Sequence, residues 1–141
     1  MFHLIYKSKE TREFSPSDLK ALLIGARMRN REVGVTGILI YSDGWFLQVL
    51  EGEHTAVEAI FSRIERDPRH ENIVVVNRAA PVGKRRMFGD WSMAFADPAG
   101  VANILKGFVD LKSGVTLSGL DQTQALRILK ACKHEALALA V

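Results

Sequence analysis

Residues 34–52 constrain this chain more than any other stretch. Two apolar runs, 35–41 and 45–50, flank Ser42-Asp43-Gly44, and an Asp-Gly pair in that setting signals a tight hairpin. Both arms are apolar on both faces, where a half-exposed strand would alternate. Such strands belong in the centre of a sheet covered by helices. One residue breaks the pattern. Gln48 shares a face with Phe46 and Leu50, because strand side chains alternate. An unpartnered carboxamide there would cost about 1–3 kcal/mol. Either the fold supplies its partners or a ligand does, since an amide both donates and accepts hydrogen bonds.

The rest of the chain supplies the cover. Residues 2–6 read as a first strand, with Phe2, Leu4 and Tyr6 on one face and His3 and Ile5 on the other. Residues 7–14 read as a polar loop. Ser15-Pro16-Ser17-Asp18 marks a helix start, with proline suited to the first turn. Leu19, Leu22, Leu23 and Ala26 then recur at helical spacing. Gly34 follows, so this helix is expected to fray near Asn30. A second helix over 54–67 carries Val57, Ile60, Phe61 and Ile64, and Asp67-Pro68 ends it. Residues 73–76 form a β-branched strand, 81–89 a basic loop and 91–95 a last strand. The order βαββαββ implies an α+β fold of the ferredoxin-like kind, a mixed sheet with two helices on one face.

Residues 97–119 read as a boundary region with a short helix over 99–110. The segment 122–141 is amphipathic, with Ala125, Ile128, Leu129, Cys132, Ala136 and Leu139 on one side. C-terminal helices are therefore expected to cap the other sheet face, or alternatively to bind a partner or dimerise. The division is a domain over 1–97 and an extension over 98–141.

A length of 141 residues with 48% apolar content suits one domain with a core of useful size. The formal charge of +3 permits phosphate contacts without identifying a polyanionic partner. Cys132 is the only cysteine, so no intramolecular disulfide forms. With no signal peptide, a cytoplasmic location is expected. No apolar run is long enough to span a bilayer.

Familiar catalytic signatures are absent from the sequence: no P-loop, no dinucleotide glycine motif, no metal-spaced His or Cys, no nucleophile elbow. What remains is a polar set on an apolar scaffold: Tyr6, Arg29, Asn30, Gln48, Arg63 and Asp67. Arg63 and Asp67 are four apart and share a helix face. In this topology the first and third strands can neighbour one another, so Tyr6 and Gln48 can meet. A slot between two helices on that face suits a flat aromatic ligand with amide and imide edges. A tyrosine beside it is a candidate electron and proton donor.

Several stretches together resemble the BLUF domains, blue-light sensors that use FAD. They are Leu4-Ile5-Tyr6-Lys7-Ser8, Ala26-Arg27-Met28-Arg29-Asn30, Gly34-Val35-Thr36-Gly37-Ile38-Leu39, Phe46-Leu47-Gln48-Val49-Leu50-Glu51-Gly52, Asp67-Pro68-Arg69-His70 and Phe88-Gly89-Asp90-Trp91-Ser92-Met93. The resemblance implies a non-covalent flavin between the two helices, FAD in the family, with FMN and riboflavin as open alternatives. It implies that Tyr6 is the photochemical donor and that Gln48 lies between Tyr6 and the ring. Asn30 would bond the ring edge, and Leu22 and Ile64 would sandwich the ring. Arg63, Asp67 and His70 would lie near the ring or its phosphoribityl chain. Many members have Asn where this chain has Arg29, which would serve the phosphates.

The implied mechanism is light-driven electron and proton transfer from Tyr6 that leaves Gln48 rotated or tautomerised and shifts absorption to the red. That is a switch, not an enzyme. Trp91 and Met93 would relay the change to the C-terminal helices. The chain shows no cyclase, phosphodiesterase or DNA-binding segment, so a short stand-alone sensor is expected. It would act as a homo-oligomer on a separate signalling protein.

Two other classes fit less well. Acylphosphatase-type chemistry needs a phosphate-cradling loop, and residues 7–14 contain Lys9 and Arg12 but no glycine. A nucleic-acid module would use the clusters Arg27, Arg29, Arg31 and Lys84, Arg85, Arg86. An RNA-binding sheet exposes its aromatics, whereas Trp45 and Phe46 lie in strands apolar on both faces.

Overall fold

In the computed structural model, residues 1–80, 86–89, 93–96, 121–132 and 136–137 are described. The elements are β1 (Phe2–Glu10), α1 (Pro16–Glu32), β2 (Thr36–Ser42), β3 (Trp45–Gly52), α2 (His54–Glu65), β4 (His70–Ala79), β5 (Ala94–Ala96), α3 (Gln122–Cys132) and β6 (Ala136–Leu137). Among the described residues they build a six-stranded sheet of order β4-β1-β3-β2-β5-β6. The first four strands pair antiparallel, and β5 runs parallel to β2. The fold is the expected α+β, ferredoxin-like arrangement.

Local sequence explains the element boundaries. Ser15 caps α1, accepting from the Asp18 N–H at 3.1 Å, while the Asp18 carboxylate accepts from the Ser15 N–H at 2.9 Å. This reciprocal box satisfies two otherwise orphaned donors. The helix runs two residues past Asn30 and stops before Gly34, whose φ is +69°. Asp43 and Gly44, at φ +51° and +78°, form the hairpin turn between β2 and β3. Positive φ at both central residues matches the right-handed strand twist.

The sheet separates two apolar layers. On the front, Leu4, Tyr6, Leu39, Phe46 and Leu50 pack under Leu19 and Leu23 of α1 and Val57, Ile60 and Phe61 of α2. On the back, Ile5, Ile38, Ile40, Leu47 and Val49 pack against Phe88 and against Ala125, Ile128, Leu129 and Cys132 of α3. Each fully buried aliphatic side chain contributes roughly 1.5–3 kcal/mol. The predicted helical cap over the second face is therefore present in α3. Burial of both faces also removes the exposed aromatic platform that an RNA-reading sheet needs.

Several boundaries differ from the sequence reading; the last strand, expected over 91–95, is β5 at Ala94–Ala96, with Met93 just before it. β1 continues through Glu10, because β3 and β4 pair with it on both sides and carry Lys7 to Lys9 into the ladder. β4 spans ten residues, not four, for the same reason. α2 ends at Glu65, so Asp67 lies beyond the helix. The expected helix over 122–141 is interrupted: Ala136 and Leu137 pair with Ala96 and Phe95 as an edge strand. Trp91 and the expected helix over 99–110 lie outside the described residues.

Candidate functional site

A cavity of about 300 Å³ opens on the front face between α1 and α2. That is the lower end of the range for small-molecule sites. Its floor is made by Tyr6, Leu39, Phe46 and Gln48 on β1, β2 and β3. Leu22 and Ala26 of α1 face Ile60 and Ile64 of α2 across the opening. Leu22, Ala26 and Ile64 sit on the apolar stripes of their helices yet are only partly buried. The arrangement is a slot with two apolar walls.

Two polar side chains sit in its floor. Tyr6 and Gln48 are register partners across β1 and β3. The Tyr6 hydroxyl donates to Gln48 Oε1. Gln48 Nε2 donates to Met93 Sδ at 3.3 Å. A thioether is a weak acceptor and cannot donate, so the amide nitrogen points at the sulfur and its oxygen at the phenol. Met93 lies just before β5, and its carbonyl accepts from Arg27 Nε of α1 at 2.7 Å. Asn30 is 1% exposed and lines the α1 side.

Burial raises the Tyr6 phenol pKa well above its ordinary value, and the Asp67 carboxylate adds to the shift. The hydroxyl therefore keeps its proton at neutral pH and can act as a donor. The chain's other tyrosine, Tyr41, donates instead to Glu10 Oε2 at 2.6 Å. Burial and then this carboxylate push Tyr41 up to about 12. Only Tyr6 of the two lines the cavity.

The far end is cationic. Arg29, Arg63, Arg66 and Arg69 line the opening with Asp67 and His70. Burial opposes the Asp67 charge, but hydrogen bonds from the Arg69 side chain and backbone hold the carboxyl below its usual range. Arg69 Nε lies 2.9 Å from both Asp67 oxygens. Asp67 is thus paired with Arg69, and the helical Arg63–Asp67 pair read from the sequence is replaced. His70 bridges Ser8 Oγ, at 2.7 Å from Nδ1, and the Ile64 carbonyl, at 2.6 Å from Nε2. A carbonyl only accepts, so Nε2 carries a proton and the ring ties β1 to the end of α2.

All nine residues expected around the cofactor line this cavity: Tyr6, Leu22, Arg29, Asn30, Gln48, Arg63, Ile64, Asp67 and His70. Met93 reaches Gln48 from outside the lining. The sequence reading missed Phe14, Ala26, Leu39, Phe46, Ile60, Arg66 and Arg69. Face alternation from Gln48 already pointed to Phe46; Phe14, which packs edge-on to Phe46 with centroids 5.2 Å apart, comes from a loop with no periodic signal.

The donor set fits a flavin. Apolar walls suit a flat ring, amides at Asn30 and Gln48 suit its imide edge, and the arginines suit a phosphate-bearing tail. Among the described residues, no group of three or more His, Cys, Asp or Glu is placed to hold a metal ion. No helix among them is long and apolar enough to cross a membrane.

Fold and cavity together define an α+β domain with an open slot and a hydrogen-bonded tyrosine–amide pair in its floor. Residues 1–94 match BLUF, the sensors of blue-light using FAD, and the chain belongs to that family. It is 42% identical over 92 residues to the photoactivated adenylate cyclase subunit beta of Euglena longa, covering 64% of this chain and 10% of that protein. The corresponding Euglena gracilis subunit matches at 42% over 92 residues, with the same coverage. The chain thus spans about a tenth of these curated relatives. Among solved structures, BlsA in its ground state superposes with a TM-score of 0.84 at 28% identity, covering 99% of this chain and 93% of that one. BlrB in its dark state gives 0.74 at 29% identity, covering 92% and 95%.

Proposed function

We propose that this chain is a blue-light photoreceptor that binds FAD in the slot between α1 and α2. Leu22 and Ile64 would flank the ring, Asn30 and Gln48 would hold its polar edge, and Arg29 and Arg63 would meet the phosphates. When bound and excited by blue light, the flavin supplies a strong one-electron oxidant. Tyr6 gives up an electron and its hydroxyl proton, and Gln48 carries the proton. Both return to Tyr6, so no net oxidation remains. What persists is the hydrogen bonding of Gln48, whose amide no longer accepts from Tyr6 as before. Rotated or tautomerised, Gln48 would present a donor to the ring carbonyl, which would lower the excitation energy and shift absorption to the red.

No substrate is consumed, so the protein is a switch and not an enzyme. Loss of the Gln48–Met93 contact is the differential interaction that a two-state signal requires. Trp91, Met93 and β5 carry the change to residues 98–141, the output and oligomerisation segment. The chain acts in the cytoplasm as a homo-oligomer on a separate signalling protein. Light input to an effector in the photoactivated cyclase relatives supports this direction of signalling.

The observation that carries this reading is the buried line Tyr6–Gln48–Met93 along one edge of the cavity floor. Its test is the visible absorption of the purified protein before and after blue light, with the extracted cofactor identified by mass. A flavin spectrum that shifts slightly red and recovers in darkness supports it. A flavin spectrum without a shift rejects the photochemistry, and extraction of FMN or riboflavin corrects the cofactor.

A further inference from the structure

Glu51 lies three residues beyond Gln48 on β3, so the two side chains point to opposite faces of the sheet. Its side chain is fully buried. Phe88 N–H and the Thr36 hydroxyl donate to Oε1 at 2.8 and 3.0 Å. Met87 N–H donates to Oε2 at 2.8 Å, and His3 Nε2 lies 3.0 Å from the same oxygen. Arg86 adds a brace, donating to Thr36 Oγ1 at 2.9 Å and to the Glu51 carbonyl at 3.2 Å. These donors come from β1, from β2 and from the segment that leads toward β5. A buried carboxylate is tolerated only with such convergent donors. None of these groups lines the cavity, so the cluster has no direct part in holding a cofactor.

What the cluster does fix is the path of residues 86–88. Five residues after Phe88, Met93 lies on the other side of the sheet, with its carbonyl on Arg27 and its sulfur on Gln48. Met93 Cε also reaches β2 at Gly37, where a Cβ would stand in ordinary contact with it at 3.5 Å but only 1.9 Å from the Val49 carbonyl oxygen. Met87 and Phe88 are thus held from the back of the sheet, and Met93 from the front. The Gln48–sulfur contact is weak and depends steeply on where the sulfur sits.

We propose that Glu51 is a positioning residue of the photocycle: it holds Met87 and Phe88 from behind the sheet and thereby sets where Met93 presents its sulfur to Gln48. This rests on the reading of Tyr6 and Gln48 as the photochemical pair. Through Met93, Glu51 governs how long the rearranged amide persists.

The test uses the flavin-loaded full chain with methyl-labelled methionine. Glu51→Gln keeps the size but sets an NH2 group against the backbone N–H of either Met87 or Phe88. In the dark, the Met93 methyl resonance shifts or broadens in Glu51→Gln and stays in place in the exposed control Glu53→Gln. An unmoved Met93 resonance in folded Glu51→Gln overturns the proposal. In the light cycle, Glu51→Gln changes dark recovery about tenfold with Met93 present and less than roughly twofold in a Met93→Leu background. An equal factor in both backgrounds also overturns it. If Glu51→Gln does not fold, Thr36→Val removes one donor and is read in the same two ways. A wild-type protein with no light-induced shift rejects the photochemical reading instead, and the resonance experiment then decides the positioning claim alone.

Discussion

Tyr6 and Gln48 face each other across β1 and β3, and the hydroxyl of the first donates to the amide oxygen of the second. Tyr6→Phe removes that donor and nothing else. The ring still packs against Phe61, whose centroid is 5.4 Å away. Flavin binding is expected to survive, and the light-induced red shift is expected to vanish. Stability falls by about 1–3 kcal/mol, because Gln48 Oε1 is left buried without its donor. Difference spectra and urea melts read both effects, and a normal shift in the variant would remove Tyr6 from the mechanism.

Gln48→Leu breaks two contacts at once, those to Tyr6 and to Met93. The protein should bind flavin and form no red-shifted state, with Tyr6 now the unpaired group. Flavin retention on a desalting column, followed by illumination, checks this. A variant that neither folds nor retains flavin would mark Gln48 as a structural residue.

Acid should weaken the clamp behind the sheet. Burial opposes ionisation of Glu51, but bonds from His3, Phe88, Met87 and Thr36 outweigh it and hold the carboxyl below the ordinary glutamate range. A carboxyl depressed on folding contributes stability that is fully present above the unfolded value and is lost as pH falls through the folded value. Unfolding free energy should therefore decline on acidification into and below the ordinary glutamate range. Glu51→Gln should decline less steeply there, since Asp18 and Asp67 act equally in both proteins. Urea melts across that interval test it, and parallel slopes would contradict it.

The cap on the second face carries real stability. Leu129 is fully buried against the back of the sheet, and Lys130 beside it is exposed. Leu129→Ala should cost about 2–5 kcal/mol. Lys130→Ala should stay within about 0.5 kcal/mol. Equal effects at both positions would mean that α3 is not docked in solution.

Signals that act locally were legible in the sequence. The Ser15 capping box, the Asp43-Gly44 turn and the doubly apolar hairpin each specify their structure within a few residues. Part of the cavity lining was legible as well, because Tyr6, Arg29, Asn30, Gln48, Asp67 and His70 fall in the family motifs. Pairing between distant strands was not. Lys7 to Glu10 look like loop residues until β3 and β4 hold them from both sides. Ala136 and Leu137 suit a helix as well as a strand, and the free edge of β5 decides between them. Asp67 read as a helical partner of Arg63 until the helix stopped short, leaving Arg69 as the nearer cation. Glu51 had a readable clue: alternation from Gln48 put a carboxylate on a buried face, with His3 facing the same way on β1. Trp91 falls outside the described residues, so its relay role stays a proposal.

Every residue lining the cavity lies between Tyr6 and His70 in the chain. Met93, β5, α3 and β6 all come later. A chain made from its N-terminus therefore leaves the ribosome with the cavity's lining residues synthesised before the elements proposed to read it out. Order of manufacture and the proposed order of signalling run the same way along this polypeptide.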